Sequence, residues 1–191
     1  MQNLIVGISD CQWSTAQDTN LITYALGSCI AVCVYDPCAK VGGMLHYMLP
    51  ESHLNREKAR QNPFIFADSG IPILFRKAYE LGALKSRLLV HAIGGAQVMR
   101  DQELFNIGKK NQLALRKLLW KAGVLLQGEA VGGQLSRTVR LEISSGRLFV
   151  KVSGGPEIEL IGNGKLPSEM GKSPTTKLPM INKENICRSL S

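Results

Sequence analysis

At 191 residues, 45% hydrophobic and 20% charged, the chain has the size and make-up of an ordinary one-domain globular protein. No apolar run approaches the roughly 18 residues of a spanning helix, and the start MQNLIVGISD lacks the basic region and long apolar stretch of a signal peptide, so a cytoplasmic protein without membrane insertion is expected. The 23 Lys+Arg against 15 Asp+Glu leave a net charge of +8 and favour an acidic partner, but the cations are scattered and the aromatics form no stacking motif, so nucleic acid is not expected.

Residues 1–22 are mixed and carry no clear period. The run CIAVCVY at 29–35 is β-branched and apolar, as a buried strand requires. Asp36-Pro37-Cys38-Ala39 is a turn signal, and KVGGMLHYM at 40–48 predicts the returning strand, with Gly42-Gly43 marking a bulge or a close backbone approach. Residues 51–66 are polar and then aromatic, as in an exposed loop. A helix is expected over about 69–81, capped by Asp68 or Ser69, with Pro72 in its first turn and Gly82 as its stop. RLLVHAI at 87–93 predicts a strand. Asn106 caps a second helix that runs to about Ala122, and strands follow at 124–130, 137–143 and 148–152.

From about Gly162 the sequence turns rich in Pro, Ser, Thr, Gly and Lys without an apolar period, which predicts a flexible basic tail over 162–191 behind a single domain at 1–161. The order of strands and helices predicts an α+β fold, a mixed α/β sandwich with mixed β-sheets and two main helices.

Five cysteines without a secretion signal suggest reduced thiols. Cys29 and Cys33 stand four residues apart on one strand, about 13 Å along it. Zinc needs both sulfurs about 2.3 Å from one point, so no metal site is expected. A turn over residues 36–39 would pair Tyr35 with Lys40 and bring Cys29 directly opposite His46, with Cβ atoms about 4.5–5.5 Å apart. A thiol beside an imidazole is a potential nucleophile, and Gly27 and Ser28 leave the backbone open for N–H groups that hold an oxyanion. A buried small hydrophobe at Cys29 and a core histidine at His46 fit the same spacing.

TYALGSCIAVCVYDP at 23–37 and GGMLHYMLP at 42–50 closely resemble the signature of the CheD family of chemoreceptor glutamine deamidases. Further similar segments are ADSG at 67–70, IGGAQVM at 93–99, IGKKN at 107–111 and VGGQLSRTVRLEISSGR at 131–147. The resemblance implies an α/β sandwich related to deamidating toxins and a cysteine hydrolase that converts receptor glutamines to glutamates without a cofactor. It implies that Cys29 is the nucleophile, His46 the general base and acid, and Thr23 the group that orients the imidazole. It also implies two partners, the cytoplasmic helices of methyl-accepting chemoreceptors and a CheC-like phosphatase. One departure is Ala130, where the family usually has Asp. The competing expectation is a non-catalytic binding module that regulates such a phosphatase or the receptors, with an incidental thiol.

Overall fold

The computed structural model describes residues 1–97 and 106–160, and the expected tail over 162–191 lies outside them. The described strands form two five-stranded sheets. The first has the order β1 (Gln2–Ile5), β3 (Thr19–Leu26), β8 (Arg137–Glu142), β9 (Leu148–Val152) and β10 (Glu157–Glu159). The second has the order β2 (Asp10–Ser14), β5 (Val41–Tyr47), β4 (Ile30–Asp36), β6 (Leu89–Gly94) and β7 (Gly128–Val131). Helices α1 (Arg56–Gln61), α2 (Ala67–Glu80) and α3 (Ile107–Lys121) complete the α+β domain.

Two cores hold these layers together. Leu21, Ala31, Cys33, Met44, Ile93, Val139, Leu141 and Val150 pack between the sheets. Val32, Val34, Leu45, Leu74, Phe75, Leu115 and Leu119 pack between the second sheet and helices α2 and α3. β4 and β5 are therefore covered on both faces and buried at every position, which is why they read as apolar runs. β8 alternates buried and half-buried residues, because the outer face of the first sheet meets solvent. Gly42 and Gly43 lie in regular register without a bulge. A Cβ at Gly42 would run into Ile143, and one at Gly43 into Trp13 and Leu74, so the close-approach reading holds.

The β4–β5 turn differs from the expected one. Asp36 pairs with Val41, Ile30 with Tyr47 and Ala31 with His46, so residues 37–40 make the turn and Lys40 takes a positive φ of 54°. Asp36 stays in the strand because its carboxylate accepts hydrogen bonds from the N–H groups of Cys38, Ala39 and Leu84 and from Arg87. Cys29 is thus not directly opposite His46. The shift is two residues, so both stay on one face of the sheet.

Other expectations also need correction. The opening segment contains β1, β2 and the first half of β3, and the expected loop at 51–66 contains α1 and two 3-10 turns. α2 starts two residues early, at Ala67, without a side-chain cap, and Pro72 lies inside it. Asp68 accepts hydrogen bonds from the N–H and Oγ of Ser52 instead. Asn106 does cap α3, accepting from Lys109 N–H at 3.2 Å. Cys38 is disulfide-bonded, against the expectation of reduced thiols, whereas Cys11, Cys29 and Cys33 are free.

Candidate active site

Thr23 and His46 come from opposite sheets and meet in the space between them. The β3–β8 register shifts between Thr23 and Leu26, and Ala25 adopts a φ of 54°. This irregularity lets Thr23 and Leu26 both face inward, three residues apart, while Tyr24 stays exposed. Thr23 Oγ1 donates to the Val6 carbonyl at 2.8 Å and lies 2.8 Å from His46 Nδ1. A hydroxyl has one proton, and a carbonyl can only accept. The second bond must therefore run from His46 Nδ1–H to Thr23 Oγ1, which assigns the tautomer and leaves the Nε2 lone pair open. Nε2 is buried and has no hydrogen-bond partner.

Cys29 immediately precedes β4. Continuing the register puts it two residues from Ala31, the partner of His46, on the same face, and it packs against the same inter-sheet core. Residues so related have Cβ atoms roughly 7–8 Å apart or somewhat less. Thr23 and His46 are in direct contact; Cys29 faces the same space without a hydrogen bond to Nε2. Catalytic hydrogen bonds are often long before substrate binds.

The backbone around the thiol is tied down on its carbonyl side. Ala96 N–H donates to Gly27 O at 2.8 Å, Asn111 Nδ2 to Ser28 O at 2.9 Å and Gly95 N–H to Cys29 O at 2.7 Å. The N–H groups of Gly27, Ser28 and Cys29 donate to no other described residue, so a loop fixed by its carbonyls leaves its donors available to a ligand. Gly94 sits against this loop with a φ of 113°, where a Cβ would strike Cys29 O.

Asn111 also donates to Met48 O at 2.7 Å, so one buried side chain on α3 joins the residue before Cys29 to the end of β5. In the sequence Asn111 stands out only as the last letter of IGKKN. An amide in the apolar face of a helix was the available signal.

Burial dominates the electrostatics. It raises the pKa of Cys29, partly offset by the residue's own backbone N–H. It pushes the His46 pKa down to about 4, while the negative charge of Asp10 pulls it up. The resting pair is therefore a neutral thiol and a neutral imidazole whose bare nitrogen can take a proton. Among the described residues no group of three His, Cys, Asp or Glu is arranged to hold a metal ion.

Comparison with known proteins gives concordant matches. A family model described as CheD chemotactic sensory transduction matches residues 48–152. Over 154 residues the chain is 56% identical to the "Probable chemoreceptor glutamine deamidase CheD" of Solibacter usitatus, covering 81% of this chain and 91% of that protein. The "Probable chemoreceptor glutamine deamidase CheD 1" of Syntrophus aciditrophicus is 53% identical over 160 residues, 84% of this chain and 100% of that protein. The "Probable chemoreceptor glutamine deamidase CheD" of Pyrococcus horikoshii is 39% identical over 166 residues, 84% of this chain and 99% of that protein.

Proposed function

The chain belongs to the CheD family, and we propose on that premise that it is a chemoreceptor glutamine deamidase in which Cys29, His46 and Thr23 carry the reaction. The observation that supports this assignment is the hydrogen bond from His46 Nδ1 to Thr23, which leaves a partnerless Nε2 on the face that Cys29 shares. A binding module has no need of it.

As Cys29 Sγ attacks the side-chain carbonyl carbon of a receptor glutamine, His46 Nε2 takes the thiol proton. The carbonyl electron pair moves onto oxygen, where the N–H groups of Gly27, Ser28 and Cys29 receive the negative charge. Collapse of this intermediate breaks the C–N bond, His46 returns the proton to the departing nitrogen, and ammonia leaves a thioester. Water then gives a proton to Nε2 as it attacks the thioester carbon, and collapse breaks the C–S bond while the Nε2 proton passes to Sγ, so glutamate and the Cys29 thiol result. Thr23 keeps the imidazole in the tautomer that each proton transfer needs.

A protein partner of acidic character fits the surface. α3 carries Lys109, Lys110, Arg116, Lys117 and Lys121 at exposed positions, no acidic residue, and an exposed Trp120. Among the described residues no helix is long and apolar enough to cross a membrane, and the proposed site of action is the cytoplasmic helices of receptors. A CheC-like phosphatase as a second partner, and the division into a domain over 1–161 and a tail over 162–191, belong to the proposal and rest on sequence alone. Ammonia release from a receptor fragment tests the assignment. Cys29→Ala and His46→Ala are expected to abolish it, and full activity in Cys29→Ala would overturn it.

A further inference from the structure

Asp10 and His46 are direct cross-strand partners in the β2–β5 ladder, so their side chains project from the same face of the sheet. The neighbouring pair Cys11 and Leu45 faces the helices, as this alternation requires. Directly opposed residues have Cβ atoms about 4.5–5.5 Å apart. The Asp10 carboxylate is held in place by four contacts. Oδ1 accepts from Cys11 N–H at 2.7 Å and Gln12 Nε2 at 3.2 Å, and Oδ2 accepts from Gly7 N–H at 3.2 Å and Gln12 Nε2 at 3.1 Å.

The Gly7 N–H and the Val6 carbonyl belong to one peptide unit. Its oxygen accepts from Thr23 Oγ1, and its nitrogen donates to Asp10. A continuous chain of donors and acceptors therefore runs from His46 Nδ1 through the Thr23 hydroxyl and this peptide to a carboxylate, which itself stands across the ladder from the same imidazole. When Nε2 takes a proton, positive charge on the ring draws electron density along the chain from its negative end, and each bond strengthens the next. The groups that face His46 are Asp10 from β2, Thr23 from β3, and Ala31 and Cys29 from β4 and its approach. Asp10 supplies the one carboxylate among them.

We propose that Asp10 is a positioning residue of this site: through the Val6–Gly7 peptide and Thr23, and across the β2–β5 ladder, it stabilises the protonated His46 that each half of the deamidation passes through. The proposal rests on the deamidase reading given above. Burial alone makes His46 a poor base, and a fixed anion on the neighbouring strand offsets that penalty without touching substrate.

The test measures kcat, KM and the pH dependence of kcat/KM for receptor-fragment deamidation, with the His46 titration followed by nitrogen-15 NMR. Wild type, Asp10→Asn and Asp10→Glu are compared. For Asp10→Asn the proposal expects kcat to fall roughly tenfold or more with KM little changed. It also expects the His46 titration and the acid limb of the profile to move to lower pH by about half a unit or more. Asp10→Glu, which keeps the charge, restores most of both. A role confined to folding would lower the active fraction and leave the limb in place, and that result overturns the proposal. If Asp10→Asn does not fold, Asp10→Ser is read in the same way. Full activity in a Cys29→Ala control would sink the deamidase reading itself, separately from any result at Asp10.

Discussion

Thr23 on one sheet and His46 on the other are joined by a 2.8 Å hydrogen bond in the buried layer between them, and the same hydroxyl is anchored to the Val6 carbonyl. Both bonds depend on the hydroxyl alone. Thr23→Val keeps the shape and leaves His46 Nδ1–H without an acceptor, which costs about 1–3 kcal/mol of stability and frees the ring to turn. A fall in kcat of roughly 10–100-fold is expected. Thr23→Ser keeps both bonds and most of the activity. Steady-state kinetics with urea denaturation on the pair checks this.

The low pKa of His46 makes stability depend on pH. Between about 4 and the ordinary 6.5 the unfolded chain binds a proton at this residue that the folded protein does not. Stability from this group is therefore fully present above pH 6.5 and declines as pH falls through that window, by up to about 3 kcal/mol in total. Urea melts from pH 4.5 to 7.5 are expected to show a steeper acid decline in wild type than in His46→Gln. Parallel declines would contradict the burial account.

Thiol accessibility separates the free cysteines. Cys11 and Cys33 are buried with strongly raised pKa values, while Cys29 is half-buried at the edge of its strand. Iodoacetamide near neutral pH is expected to modify Cys29 at least roughly tenfold faster than either, and His46→Ala to slow it. Peptide mass mapping reads the order directly.

Asn111→Ala removes the donors to Ser28 O and Met48 O at once. Two part-buried carbonyls lose their partners, so a stability loss of about 1–3 kcal/mol is expected. The loop carrying Cys29 is also released from the end of β5, so kcat falls in the fraction that stays folded. Denaturant titration and active-site thiol labelling follow the two effects independently.

β4 and β5 were legible in the sequence because layers on both faces demand unbroken apolar runs. β1 and β2 were not: they are edge strands, with burial too uneven to leave a period. That hid Asp10 with them. Spacing placed Cys29 and His46 on one face, as observed, although the assumed register was two residues out. The turn is set by Asp36, whose carboxylate bonds Leu84 and Arg87, partners 48 and 51 residues away that no local rule contains. Thr23 came from family resemblance alone. Its contact with His46 needs the irregularity between Thr23 and Leu26, which turns both side chains inward.

The most direct test of the chemistry is peptide mass mapping of a receptor cytoplasmic fragment after incubation with the protein. Exchange of NH2 for OH at particular glutamines, a gain of about one dalton at each, is the result expected for wild type and absent with Cys29→Ala. The same gain with Cys29→Ala, or none with the wild-type protein, would contradict the account.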